Sequence, residues 1–363
     1  MAERIFTYGN EAVGWGAVNA GCTHFFGYPI TPQNEIPAFF ARELPKRGGV
    51  FVQSESETGS INMVYGASAA GARVMTSTSS PGWSLMQEGM SFLATAEAPA
   101  VAVLVSRGGP GGGTMRHSQM DYLNCTRGGH GGYKNIVLAP ASPQEIHDLM
   151  QLAFYLADKY RNPVIVLSDG ITGQMREPVN IGPLSFPSLP EKDWAVRGKA
   201  KHKDGRSREV HNANGMLYPD AYMPALKIMD KKWREIEDTE VRYELYQAED
   251  AELLLVAFGY VSRVCEEAVN MARSEGLKVG LIRPITLWPF PYELIKEKAA
   301  SGARFLVVED NMGQMEHDVR FGAEGKAEVH FLGVFARHLI SDLGIIFPDR
   351  VLEEMHTVME ERR

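Results

Sequence analysis

The chain has 363 residues, 44% of them hydrophobic and 23% charged, a globular composition long enough for two domains and at odds with wholesale disorder. A formal net charge of −8 gives a nucleic-acid role no electrostatic support. The three cysteines, Cys22, Cys125 and Cys265, are far apart and form no CxxC pair, which argues against a disulfide framework and against an iron–sulfur cluster held by this chain alone.

The opening MAERIFTYGN lacks the apolar core of a secretory signal, and no run of about 18 apolar residues occurs, so a cytoplasmic protein without a membrane span is expected. Short apolar runs at Thr23–Phe26, Val50–Gln53, Arg73–Thr76, Ala100–Val105, Ile136–Ala139 and Val164–Ser168 read as strands. Thr31–Pro32 and Ser80–Pro81 read as helix starts with proline in the first turn. Ser142–Pro143, with Glu145 beyond, opens an amphipathic helix to about Tyr160. Strand–helix alternation of this kind predicts an α/β fold with a mostly parallel, doubly wound sheet.

The alternation breaks between Glu177 and Asp250, where prolines and the basic run GKAKHKDGRSREVHNANG predict an exposed connector, followed by a helix near Pro224–Glu237. The basic run reads as a solvated loop or as a docking surface for an acidic partner. A second α/β domain begins near Ala251. Its strands are expected at Leu253–Ala257, Lys278–Ile282, Phe305–Val308 and Glu328–Leu332, and its helices at Ser262–Glu275, Pro291–Ala300 and Val351–Glu361.

In open parallel sheets, sites form beyond the carboxyl ends of strands. Four segments qualify: Gly27–Pro32, Gln53–Glu57, the hydroxyl-rich Thr76–Gly82, and Ser106–Gly113. Together they offer a carboxylate, a guanidinium and several hydroxyls, a set suited to a small anionic substrate or cofactor. Glu57 opens a nearly uncharged helix of small residues, where a partly buried carboxylate suits general acid–base work. Glu55 and Glu57 equally fit the plainer role of favouring a helix N-terminus through its dipole. Arg107 ends a hydrophobic strand before glycines that let backbone approach a ligand, which suits capture of a carboxylate, although a surface arginine ending a strand fits too. The RGGPGGG run lacks the GK[ST] ending of a P-loop. The histidines show no HExxH or close ligand pair, so no metal site is expected, and His130 in GGHGG remains a loop histidine able to contact a ligand.

These segments resemble the alpha subunit of 2-oxoacid:ferredoxin oxidoreductases. The resemblance lies in GYPITP, QSESETGSINMVYGASAAG, TSTSSPGWSLMQEG, SRGGPGG with SQMDYL, and GGHG, and continues in RPITLWPFP and VVEDNMGQM. The 2-ketoisovalerate branch looks nearest, with the 2-oxoglutarate enzymes next. The family implies a pyrimidine-binding thiamine diphosphate domain over 1–180, a connector over 181–250, and a transketolase C-terminal-like domain over 251–363.

In that family a glutamate matching Glu57 hydrogen-bonds the aminopyrimidine ring and stabilises its imino tautomer. Thr31 matches the threonine that contacts the substrate carboxylate, and Arg107 the substrate-binding arginine. Pro29 and Ser79 fall at further cofactor-binding positions. The implied reaction is oxidative decarboxylation of a 2-oxoacid, with electrons passed to ferredoxin and the acyl group taken by coenzyme A.

Ser79-Ser80-Pro81-Gly82 stands where the family usually reads SGPG, and Met115, Arg116 and His117 are unusual in their loop, which bears on substrate identity. The chain has no GDG motif for a diphosphate and magnesium; Ser168-Asp169-Gly170 is a partial echo. The resemblance therefore implies a beta subunit carrying the diphosphate site, and gamma and ferredoxin-like delta subunits carrying iron–sulfur clusters. The alternatives are a 2-oxoglutarate- or aryl-2-oxoacid-specific member of the same family, a non-oxidative thiamine-dependent decarboxylase or transferase, and a binding module that kept the fold and lost the chemistry.

Overall fold

A computed structural model describes residues 3–210, 219–334 and 345–360. The first half of the chain carries β1 (Glu3–Tyr8), α1 (Gly9–Asn19), β2 (His24–Gly27), α2 (Glu35–Glu43), β3 (Val50–Gln53), α3 (Glu57–Ala69), β4 (Val74–Ser79) and α4 (Ser80–Thr95). It continues with β5 (Val101–Ser106), α5 (Tyr122–Thr126), β6 (Ile136–Leu138), α6 (Pro143–Tyr160), β7 (Val164–Asp169), α7 (Gly170–Gln174) and β8 (Arg176–Ile181). The second half holds α8 (Pro219–Thr239), β9 (Tyr243–Tyr246), β10 (Leu253–Val256), α9 (Gly259–Ser274), β11 (Val279–Pro284) and β12 (Thr286–Trp288). After these come α10 (Tyr292–Ala300), β13 (Arg304–Val308), α11 (Met315–Ala323), β14 (Val329–Leu332) and α12 (Pro348–Glu360).

The larger sheet has the order β12-β6-β7-β5-β4-β2-β3 and is parallel except for β12. Every residue of β4, β5 and β7 is buried regardless of pleat side, so both faces of the sheet are covered. Helix α1 packs on α6, and α3 on α4. The second sheet, β14-β13-β10-β11-β9, is parallel except for β9.

Local chemistry accounts for several boundaries. Ser142 accepts from the Glu145 amide at 3.2 Å while the Glu145 carboxylate accepts from Ala141 N at 2.9 Å, which starts α6 where its sequence pattern predicts. Thr31–Pro32 behaves otherwise. Gln33 N donates to the Ile30 carbonyl at 3.1 Å, closing a turn there, and the helix waits until Glu35, with Asn34 before it. The hydroxyl-rich Thr76–Gly82 is not a loop. Strand β4 runs to Ser79, whose partner is Val105, and its hydroxyls are buried in the sheet.

The connector also departs from expectation. Its start is β8, antiparallel to β1. The stretch after it is largely exposed but tied back: Val196 N donates to Ala69 O at 2.8 Å, and the Arg161 guanidinium lies 4.4 Å from the centroid of the Trp194 ring. The last residues of the basic run, 211–215, lie outside the described residues.

The two sheets are joined by the segment from His117 to Arg127. Gln119 is 2% exposed and meets the second half of the chain with both backbone and side chain. Its Nε2 donates to Phe258 O at 2.8 Å, its Oε1 accepts from Asp310 N at 3.0 Å, its amide donates to Asp310 O, and its carbonyl accepts from Asn311 Nδ2. Tyr122 and Arg127 both donate to Asp318. After β13, the fully buried Glu309 accepts from Asn311 Nδ2 and from the amides of Gln314, Met315 and Glu316. It thereby serves the opening of α11.

Replacing Gln119 with Ala strands the Phe258 carbonyl and the Asp310 amide in the seam. The expected cost is about 2–4 kcal/mol, read as a lowered urea or thermal midpoint. Burial raises the Glu309 carboxyl from 4.5 to about 6. Since the folded value lies above the unfolded one, its stabilisation is full below about 4.5 and lost as pH rises through about 6. Glu309→Gln turns an amide nitrogen toward the N–H donors and cannot titrate. The variant should be destabilised most at low pH, with the gap to the parent narrowing by about 2 kcal/mol between pH 4.5 and 7.

Candidate active site

Because β2, β3, β4, β5 and β7 run parallel, their carboxyl ends lie along one edge of the sheet. That edge brings Thr31, Glu57, Ser79 and Arg107 onto adjoining strand ends. The turn carrying Thr31 follows β2. Asn10 Nδ2 and Gln174 Nε2 hold it by donating to the Pro32 carbonyl at 2.8 and 3.2 Å, and Gln33 Nε2 donates to the Tyr28 carbonyl at 3.2 Å. Pro29 sits exposed on the same turn.

Glu57 is the first residue of α3 and is 5% exposed. Ser56 caps the helix, its hydroxyl accepting from Gly59 N at 3.2 Å, so Glu57 is not needed as the cap. The donor hydroxyl nearest its carboxylate, Thr78 Oγ1, is 3.5 Å away, a long contact that leaves acceptor capacity unused. Opposite it lies Gly82, where a Cβ would come within 2.3 Å of Glu57 Oε1. Only glycine lets α4 approach this closely. Ser79, fully buried before α4, has an Oγ with no hydrogen-bond partner, as does Thr76 Oγ1. Buried polar groups are rarely left unpaired, so the Ser79 hydroxyl, at the strand end, is open to a polar ligand; Thr76 lies inside β4, away from that end.

Arg107 follows β5 and reaches across the strand ends. Its Nη1 donates to the Thr31 carbonyl at 2.9 Å and its Nη2 to the Gly112 carbonyl at 3.1 Å. Its Nε is buried without a partner. Among the described residues no carboxylate lies within ion-pair distance of it, although its charge is felt by Asp121. Ser80 fixes the backbone at this point: its hydroxyl accepts from Arg107 N at 3.0 Å and lies against Asp121. Asp121 also accepts from Ser106 at 2.5 Å, and burial raises its carboxyl. Thus the serine that departs from the SGPG pattern is engaged with Arg107.

Asp169, at the partial GDG echo, already has a full set of partners. It accepts from Ile171 N, Thr172 N and Thr172 Oγ1 at 2.8–2.9 Å and caps α7; burial raises its carboxyl to about 6. His130 is exposed, in a loop anchored where its carbonyl accepts from Ser91. The three cysteines are buried thiols, and burial pushes Cys22 up to about 12. His117, which the sequence marks only as unusual in its loop, pairs with Asp310, Nδ1 lying 2.6 Å from Oδ2, and its backbone bridges that of Arg107. His117 and Asp310 are far apart in the chain, and no local spacing signals such a pair.

The glutamate at the helix mouth, the orphaned Ser79 hydroxyl and the close approach at Gly82 fit the polar edge of an aminopyrimidine. The unpaired Nε of Arg107 fits a carboxylate. The family described as pyruvate flavodoxin/ferredoxin oxidoreductase, thiamine diphosphate-binding, matches residues 15–246, and the pyruvate:ferredoxin oxidoreductase core domain II matches residues 251–340. The chain is 49% identical to the ketoisovalerate oxidoreductase subunit VorB of Methanothermobacter marburgensis, over 92% of this chain and 93% of that one.

A solved 2-oxoglutarate:ferredoxin oxidoreductase from Magnetococcus marinus, with 2-oxoglutarate, coenzyme A and succinyl-CoA bound, superposes with a TM-score of 0.80 at 29% identity. That superposition covers 98% of this chain and 65% of the other, so this chain spans just under two thirds of that longer one. A split-gene transketolase, 14% identical with a TM-score of 0.61, shares the fold. Matched along most of its length by these domains and by a relative of nearly equal size, the chain belongs to the 2-oxoacid:ferredoxin oxidoreductases and is a subunit of a thiamine-diphosphate-dependent oxidoreductase.

Proposed function

We propose that this subunit supplies the pyrimidine-binding and substrate-binding half of a CoA-acylating 2-oxoacid:ferredoxin oxidoreductase, with 2-oxoisovalerate the favoured acid. The observation that carries the reading is the buried Glu57 carboxylate, whose acceptor capacity is left open at a helix mouth that Gly82 keeps narrow. The similarity to a ketoisovalerate oxidoreductase subunit supports the choice of acid.

In this reading Glu57 would hold the aminopyrimidine ring by a hydrogen bond to its polar edge, with Pro29 and the buried Ser79 hydroxyl as further residues that would bind it. Thiamine diphosphate, when bound, supplies the electron sink for decarboxylation. The Thr31 hydroxyl and the Arg107 guanidinium bind the carboxylate of the 2-oxoacid. Arg107 is held before substrate arrives, which lowers the cost of orientation.

Asp169 is committed to capping α7, and the chain has no GDG motif. The diphosphate and magnesium are therefore assigned to a beta subunit, and the iron–sulfur clusters to gamma and ferredoxin-like delta subunits that pass electrons to ferredoxin. Coenzyme A takes the acyl group. Among the described residues no helix is long and apolar enough to cross a membrane, in keeping with a cytoplasmic complex.

The test is CoA-dependent reduction of a viologen dye, without oxygen, by the complex purified through this chain, across pyruvate, 2-oxoglutarate, 2-oxoisovalerate and aryl 2-oxoacids. Preference for 2-oxoglutarate would move the chain to that branch of the family. Glu57→Gln should lower turnover by about 10²–10⁴-fold while the complex stays assembled; unchanged turnover would remove Glu57 from the mechanism. Arg107→Lys loses the planar fork and should raise KM for the 2-oxoacid by about 10–100-fold, with KM for coenzyme A unchanged.

A further inference from the structure

The loop between Arg107 and His117 is defined at its base and exposed at its tip. The two residues pair as an isolated antiparallel bridge, and Gly108 N donates to the Arg116 carbonyl at 3.2 Å. Residues 110–116 are exposed. One stem of the loop hangs from β5 and Ser80. The other ends at His117, and the second half of the chain holds that residue.

The grip on His117 is specific. Its Nδ1 lies 2.6 Å from Asp310 Oδ2, and the Tyr260 hydroxyl donates to the same oxygen at 2.9 Å. The Tyr260 ring meets the imidazole edge-on, with centroids 5.7 Å apart. Asp310 is 2% exposed. A carboxylate this buried needs its donors, so the three groups are bound to stay together and Nδ1 is fixed as a donor. The backbone of His117 also packs where the site is built: a Cβ on Gly170, just past β7, would lie 3.4 Å from His117 Cα and 3.6 Å from Pro32 Cγ. The His117 backbone and the Pro32 ring thus both lie against the end of β7, and Pro32 follows Thr31, whose carbonyl receives Arg107 Nη1.

We propose that His117 is a positioning residue for recognition of the substrate carboxylate: held by Asp310 and Tyr260, it anchors the second stem of the 108–116 loop and so fixes the Arg107 guanidinium against the turn of Thr31. The inference rests on the reading of Arg107 as the carboxylate-binding group. Among the described residues Nε2 of His117 has no hydrogen-bond partner, so the role requires a donor at the Nδ1 position and not an imidazole. Asparagine places its amide nitrogen at that position, whereas glutamine reaches toward that of Nε2.

The experiment compares H117A, H117N, H117Q and R107K in the purified complex, with subunit and thiamine diphosphate content measured alongside KM and kcat for the 2-oxoacid. H117A is expected to raise KM about tenfold with kcat changed by no more than about threefold. H117N should return KM to within about twofold of the parent, and H117Q should behave like H117A. Rescue by H117Q and not by H117N would mean that Nε2 itself contacts the ligand, and would overturn the proposal. An unchanged KM in H117A beside a raised KM in R107K would overturn it while leaving the role of Arg107 intact. If KM is unchanged in R107K as well, the reading of Arg107 falls and the proposal with it. Should H117A fail to assemble, the contrast between H117N and H117Q decides the matter in the same way.

Discussion

The site depends on one seam, the segment from His117 to Arg127 held between the two sheets. Gln119 makes hydrogen bonds from its amide, its carbonyl and both ends of its side chain to residues near Phe258 and Asp310. Around it, Tyr122 and Arg127 share Asp318, and Gln314 reaches back to the Met120 carbonyl. These contacts are polar and mostly buried, which makes them directional. A hydrophobic interface of the same size tolerates sliding, while paired donors and acceptors set one register. The segment that follows the glycine-rich loop is therefore placed by the second half of the chain, and the loop is placed with it.

That constraint explains how a flexible, exposed run of glycines can sit beside a binding arginine. Gly113 adopts a positive φ of 60° and packs so near Gly108 that a Cβ would lie 1.8 Å from the Gly108 carbonyl oxygen. Such a turn is open only to glycine, and glycine by itself orders nothing. Order comes from the two stems: β5 with Ser80 on one side, His117 with Asp310 on the other. Arg107 lies between them, with no carboxylate among the described residues within ion-pair distance.

The electrostatics divide by task. Asp169, Glu309 and Asp310 are carboxylates whose acidity burial weakens, and each is surrounded by donors that serve a helix start or the seam. Glu57 is buried too but lacks such a set of donors. Buried carboxylates with full partner sets are structural elements. One whose nearest donor hydroxyl is 3.5 Å away is available to a ligand.

Much of this was legible in the sequence. Alternating apolar runs and capping residues such as Ser142 and Glu145 located the strands and α6, because these signals depend on neighbours a few residues away. Parallel strands gather their loops at one edge by geometry alone, so Thr31, Glu57, Ser79 and Arg107 could be assigned to that edge from order along the chain. Local reasoning failed where a distant partner decided the outcome. Thr31–Pro32 does not start a helix because its turn is held by Asn10 and Gln174, and Thr76–Ser79 is strand because β5 continues beside it. The strand β12 completes the first sheet from the second half of the chain, and His117 meets Asp310 across the same divide. Residue types and spacing determined what chemistry the chain carries. Tertiary structure alone decided which groups are left without partners, since satisfaction of a buried polar atom depends on every element that packs against it.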